Sequence, residues 1–175
     1  MKKLLLSLFA GALFTTYSAS AQMNKGPRPS LPDTVKTTIS SGANVEIDYS
    51  RPLVKGRTIG KDLEPMEGKV WRAGANEATN FVFSKAVKVE GKAIPAGKYA
   101  FFTIKNGDVW TLIFNKTWKT WGAFDYEKNK AEDALKVDVK GKKAPSFAEK
   151  VTYTVDKSGK VSMTWGDYLV AFTVK

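Results

Sequence analysis

The sequence contains no cysteine and no histidine, and these two absences exclude more chemistry than any motif in it supplies. Without cysteine there is no disulfide, no thiolate nucleophile and no thiolate metal site. Without histidine, Ser-His-Asp-type triads and His-ligated zinc or iron sites cannot form. Nor does the chain contain a Gly-x-Ser-x-Gly elbow, a Ser-x-x-Lys pair, a Walker loop or a Gly-x-Gly-x-x-Gly fingerprint. Arginine is scarce, with four residues against twenty-four lysines. Beyond the first residues no apolar run approaches the length of a membrane span, so no membrane insertion is expected.

What is present begins with a leader. Lys2 and Lys3 precede the apolar run Leu4–Phe14, and Ala19-Ser20-Ala21 has the small-x-small pattern of a cleavage site. Residues 1–21 therefore read as a signal peptide, and the protein is expected in the periplasm or outside the cell. A lipoprotein anchor would need a cysteine at the cleavage point. Residues 22–34, QMNKGPRPSLPDT, hold three of the seven prolines and read as an extended lead-in. The rest, 35–175, is long enough to bury an ordinary core as one domain.

The net charge is +11, from 28 basic and 17 acidic residues. Lysines are scattered over nearly every predicted strand and turn, and the densest cluster is only KGKK at 140–143. A nucleic-acid binder would concentrate them in a stripe with arginine and aromatics interleaved. No nucleic-acid partner is expected; nonspecific attraction to an anionic envelope stays open, as does the oligomeric state.

From residue 35 the dominant signal is period-two alternation broken by turn residues. NVEIDYS sets Val45, Ile47 and Tyr49 opposite Glu46 and Asp48. Tyr99 and Phe101 stand opposite Phe102 and Ile104. Asn106-Gly107 then predicts a type I′ hairpin into VWTLIF. Ser158-Gly159 and Gly166-Asp167 mark two further tight turns. These segments predict a single antiparallel β-sandwich or jelly-roll-like domain of about eight to ten strands. The exception is DYEKNKAEDAL, which predicts one short helix or turn near 125–135.

Candidate chemistry rests on few residues. Asp125-x-Glu127-x-Asn129 resembles the start of a calcium loop, but Lys130 occupies the position that needs glycine. No metal site and no cofactor are expected. Glu77 and Asp125, both beside aromatics and turn glycines, are the pair a histidine-free glycosidase could use. Arg51, Arg57 and Arg72 fall close together in a chain that otherwise prefers lysine. Their planar forks suit either a bound carboxylate or internal bracing, such as Arg72 with Glu77 or Arg51 with Asp48. Trp110 and Trp165 lie within alternating strands and read as core. Trp118, Trp121 and Tyr126 either line a groove that stacks flat ligands or cover an open end of the sandwich.

Several strings resemble one family as a set: YSRPLVKGRTI at 49–59, GKVWRAGANEATNFVFS at 68–84, IPAGKYAFFTI at 94–104, and WTLIFNK with WGAFDY. They resemble domain of unknown function 2911, a family of exported proteins found largely among Bacteroidetes. The resemblance spans about 35–175, and Trp-Arg-x-Gly-Ala-Asn-Glu is its most specific part. It implies a similar export route and a compact β-rich fold, and it carries no activity.

The expectation that follows is a noncatalytic exported β-sandwich that binds a small or glycan-like ligand or an envelope partner. Arg51, Arg57, Trp71, Arg72, Asn76 and Glu77 would form a polar wall, and Trp118, Trp121 and Tyr126 a stacking side. The rivals are a carboxylate-based hydrolase centred on Glu77 and Asp125, and a purely structural module.

Overall fold

The computed structural model describes residues 28–175. The expected signal peptide, and the lead-in as far as residue 27, lie outside the described residues. Eleven strands and one short helix are present among them. Eight strands have five or more residues: β1 Leu31–Thr38, β2 Asn44–Arg51, β4 Thr79–Phe83, β7 Gly97–Asn106, β8 Val109–Asn115, β9 Asp133–Lys140, β10 Lys142–Val155 and β11 Lys160–Thr173. Three are shorter: β3 Val70–Trp71, β5 Val87–Val89 and β6 Lys92–Ile94.

The larger layer is an antiparallel sheet in the order β1-β2-β4-β7-β8-β9, with β3 also paired to β7. The second layer is the long hairpin β10-β11. The β5-β6 hairpin joins it around an antiparallel bridge between Val89 and Val174, where Glu90 N–H donates to Thr173 O and Lys88 and Lys175 exchange backbone bonds. The layers are antiparallel and do not close into a barrel, so the all-β sandwich stands.

Alternation explains the core. Val45, Ile47 and Tyr49 are buried while Glu46 and Asp48 face outward, where Lys36 and Lys98 pair with them. Phe81, Phe101 and Phe114 from three neighbouring strands meet Phe172 of β11, with ring centroids 4.7–6.4 Å apart. Such offset and edge-on contacts stabilise beyond the area they bury. β7 is buried on both faces. Tyr99 and Phe101 join the main core, whereas Ala100 and Phe102 face a smaller cluster with Ile113 and Tyr126. Tyr126 belongs to α1, Tyr126–Asn129, which falls where a short helix was expected and covers that outer face.

Three local expectations are corrected. β1 starts at Leu31, so the last four residues of the lead-in are paired strand; Pro32 is tolerated because β1 lies at a sheet edge. The β7-β8 turn is Gly107-Asp108, closed by Asn106 opposite Val109. Gly107 has a positive φ and Asp108 does not, the pattern of a II′ rather than a I′ turn. Gly166-Asp167 is not a turn, because β11 runs through it. Gly166, at φ +56°, sits opposite Ala148 between two register shifts of the β10-β11 ladder, where the extra residues bend the strand.

Candidate functional site

The string VWRAGANEAT, residues 70–79, is an excursion from a single strand line. Trp71 pairs with Thr103 of β7, and Thr79 pairs with Phe101 of the same strand. The intervening residues 72–78 therefore loop out from one edge of β7 and return to it. Several of their backbone groups are bonded along that detour. Ala73 O accepts from Thr79 Oγ1 at 3.0 Å and from Tyr153 Oη at 2.8 Å. Trp71 Nε1 donates to Gly74 O at 3.1 Å, and Ala75 N to Ser50 O at 3.2 Å. Gly74 has no room for a side chain, since a Cβ would stand 2.7 Å from Thr79 Oγ1. Residues 72–78 thus form a corner between β3 and β4, braced by these bonds.

The far side of the corner holds two other segments. Asn76, at φ +60°, accepts from Gly122 N at 3.0 Å and donates through Nδ2 to Ser30 O at 3.1 Å. A positive φ is a conformation asparagine tolerates better than most residues. Ala78 N donates to Thr120 O, and Glu77 bridges to Trp121 through the backbone. The Glu77 carboxylate takes a two-pronged bond from Arg28, at 2.8 Å on each oxygen.

That pairing corrects the expected one. Glu77 engages Arg28 of the lead-in, and Arg72 is not its partner. Arg51 likewise bonds Asp33 at 3.0 Å, Val151 O at 3.0 Å and Thr152 Oγ1 at 2.7 Å, not Asp48. Arg57 folds back on its own turn, donating to Leu53 O and Val54 O. Three of the four guanidiniums are thereby committed to the fold.

Arg72 is the exception. No hydrogen bond or ion pair reaches its guanidinium among the described residues, and its Nε is wholly buried without a partner. Burial lowers its pKa from the usual value, and Glu64 partly offsets the effect; an arginine nonetheless stays charged. The group lines a cavity of about 100 Å³ with Pro52, Leu63, Glu64, Trp71 and Trp165. Trp71 and Trp165 are themselves held by indole bonds to Gly74 O and Glu64 O, so the walls of this cavity are rigid.

The expected polar wall does not assemble. Arg51, Arg57, Arg72 and Glu77 line four different clefts. Trp71 is a core residue at the back of the Arg72 cavity. The stacking side divides as well. Trp118 and Trp121 are exposed, whereas Tyr126 is buried and donates from its hydroxyl to Asp133 at 2.7 Å. Asp125 stands at the start of α1 and pairs with Lys128 on the surface. It does not line the cleft that Glu77 shares with Arg28 and Asp33. Among the described residues no group of three or more acidic side chains could hold a metal ion.

Two features escaped the sequence reading. Arg28 lay in a segment with no strand pattern. A roomier cleft of about 550 Å³ lies among Lys105, Trp110, Lys142, Lys143 and Tyr168. KGKK supplied its only local signal. Lys105 is already paired with Glu67, and Asp108 and Asp167 line the cleft alongside Lys142 and Lys143. The cleft therefore has no excess of charge.

These features define a cysteine-free β-sandwich with one unpaired guanidinium at a braced corner. A family model described as "Protein of unknown function (DUF2911)" matches residues 30–174, and the chain belongs to that family. Neither the curated proteins nor the solved structures yield a match.

Proposed function

We propose that the protein is an exported, noncatalytic binding module whose Arg72 receives the carboxylate or small oxyanion of a ligand. The observation that carries this reading is the half-buried Arg72 guanidinium, whose Nε is buried and which has no hydrogen-bond partner among the described residues. Taking a guanidinium out of water without a partner costs free energy. An incoming carboxylate would offset that cost through paired N–H···O bonds. The cavity admits only the acidic end of a larger molecule, and Trp71, Trp165, Leu63 and Pro52 supply apolar contact around it. Glu64 on the same wall disfavours a multiply charged anion. The hydrolase alternative is weakened because Glu77 is engaged by Arg28 while Asp125 faces another surface.

Calorimetry and thermal melts of the purified protein with sodium acetate, glycine and phosphate test the reading, with sodium chloride at matched ionic strength as reference. Acetate or glycine is expected to raise the melting temperature of the native protein and to leave Arg72→Met unmoved. Without ligand, Arg72→Met is expected to be as stable as the native chain or more so, because it removes an unpaired, partly buried charge. An equal response from both proteins, or none from either, overturns the proposal.

A further inference from the structure

We propose that the connection from β8 to α1, residues 116–124, docks the protein on the headgroup region of an anionic lipid bilayer. Trp118, Trp121 and Phe124 are 41%, 54% and 82% exposed. They make up half of the large exposed hydrophobic residues described, gathered into seven positions. Large apolar side chains exposed this close together mark an interaction surface more often than chance exposure does.

The backbone fixes these rings outward. Thr117 N donates to Asn115 Oδ1 at 2.8 Å, and Asn115 is itself buried and bonded to Asp133. Thr120 O and Gly122 N are tied to the corner at Ala78 and Asn76. Gly122, at φ +67°, lies under the Phe124 ring, where a Cβ would stand 2.9 Å away. At the far end Tyr126 is buried against Phe102. A segment anchored at four places cannot simply fold its aromatics inward.

The charges select the surface. Lys116 and Lys119 alternate with the tryptophans, are exposed, and form no ion pair among the described residues. Lys128 and Lys130 neutralise Asp125 and Glu127 beside them. The connection therefore carries exposed aromatics and unpaired cations within the same nine residues. Tryptophan favours the headgroup level of a bilayer, and lysines flanking it are drawn to anionic lipid. Among the described residues no helix is long and apolar enough to cross a membrane, so the contact would be peripheral.

Stacking on a glycan fits less well. Lys98 Nζ lies over the Trp118 ring at 4.8 Å, and Phe124 offers a sugar no hydrogen bond.

The test is co-sedimentation of the purified protein with vesicles of phosphatidylethanolamine and phosphatidylglycerol, against vesicles of phosphatidylcholine alone. Partitioning is expected to be at least tenfold stronger on the anionic vesicles and to weaken in high salt, with tryptophan emission shifting to shorter wavelength. The triple variant Trp118→Ala, Trp121→Ala, Phe124→Ala should lose at least tenfold in partitioning with an unchanged melt. Should the triple variant fail to fold, Phe124→Ala alone, at an 82% exposed position, should still lose severalfold. Undiminished partitioning by these variants, or no preference for the anionic vesicles, overturns the proposal. So does retention on insoluble peptidoglycan that the same variants lose, which would assign the surface to glycan.

Discussion

Arg28 and Glu77 meet through two parallel N–H···O bonds of 2.8 Å, one to each carboxylate oxygen. With Asn76 Nδ2 on Ser30 O, this pair fastens the end of the lead-in to the most specific motif of the chain. The corner at 72–78 thus joins the lead-in, the strand line along β7 and the tryptophan-bearing connection. Its acidic member serves attachment, and its basic neighbour Arg72 is left for another partner.

The strength of that attachment is the first prediction. The two side chains are 29% and 44% exposed, so water screens the pair and a large contribution is not expected. A double-mutant cycle over Arg28→Ala and Glu77→Ala should give a coupling of about 0.5–1 kcal/mol, at the upper end for exposed pairs because the contact is two-pronged. Urea denaturation measures it. A coupling above about 3 kcal/mol would mean the pair behaves as a buried one.

Gly74 supports a second prediction. A methyl group there would meet Thr79 Oγ1 at 2.7 Å and Ser50 O at 3.1 Å. Both atoms are fixed, the first by its bond to Ala73 O and the second by the Ala75 N–H. Gly74→Ala should therefore cost about 1–3 kcal/mol by overpacking. Adding Thr79→Ala removes the closer clash but not the Ser50 carbonyl, so it should recover only part of the loss. Full recovery, or no loss in the single variant, would show that the corner yields more easily than its contacts suggest.

These contacts mark the boundary of what could be read without coordinates. Val45, Ile47 and Tyr49 alternate with Glu46 and Asp48 because one face of β2 is buried, and that pattern is local enough to see. Pairing of charges is different. Glu77 finds Arg28 at a separation of 49 positions, and nothing within five residues of it hints at that choice. Gly166-Asp167 reads as a turn locally, yet the long partner strand β10 holds it as an irregularity within β11. Tyr126 follows Trp118 and Trp121 closely, but the turn into α1 aims it at Phe102 and away from the exposed rings.

The last prediction concerns alkaline pH. Tyr153 is fully buried, its hydroxyl donating to Ala73 O at 2.8 Å, and burial holds its pKa well above the usual 10.0. Tyr49, in edge-on contact with it at 4.7 Å, is raised in the same direction, first by burial. The folded protein therefore keeps these protons at a pH where the unfolded chain releases them. Unfolding then expels protons, so the stability they confer is complete below about pH 10 and falls as pH rises beyond it. Urea midpoints between pH 8 and 11 should show that decline. Tyr153→Phe should lose about 0.5–1.5 kcal/mol at pH 8 for the missing hydrogen bond, yet fall less steeply above pH 10 because one titrating group is gone. The Ala73 carbonyl keeps its bond from Thr79 Oγ1, which limits the first effect without touching the second. Equal slopes for the two proteins would remove Tyr153 as the group that opens the corner at high pH.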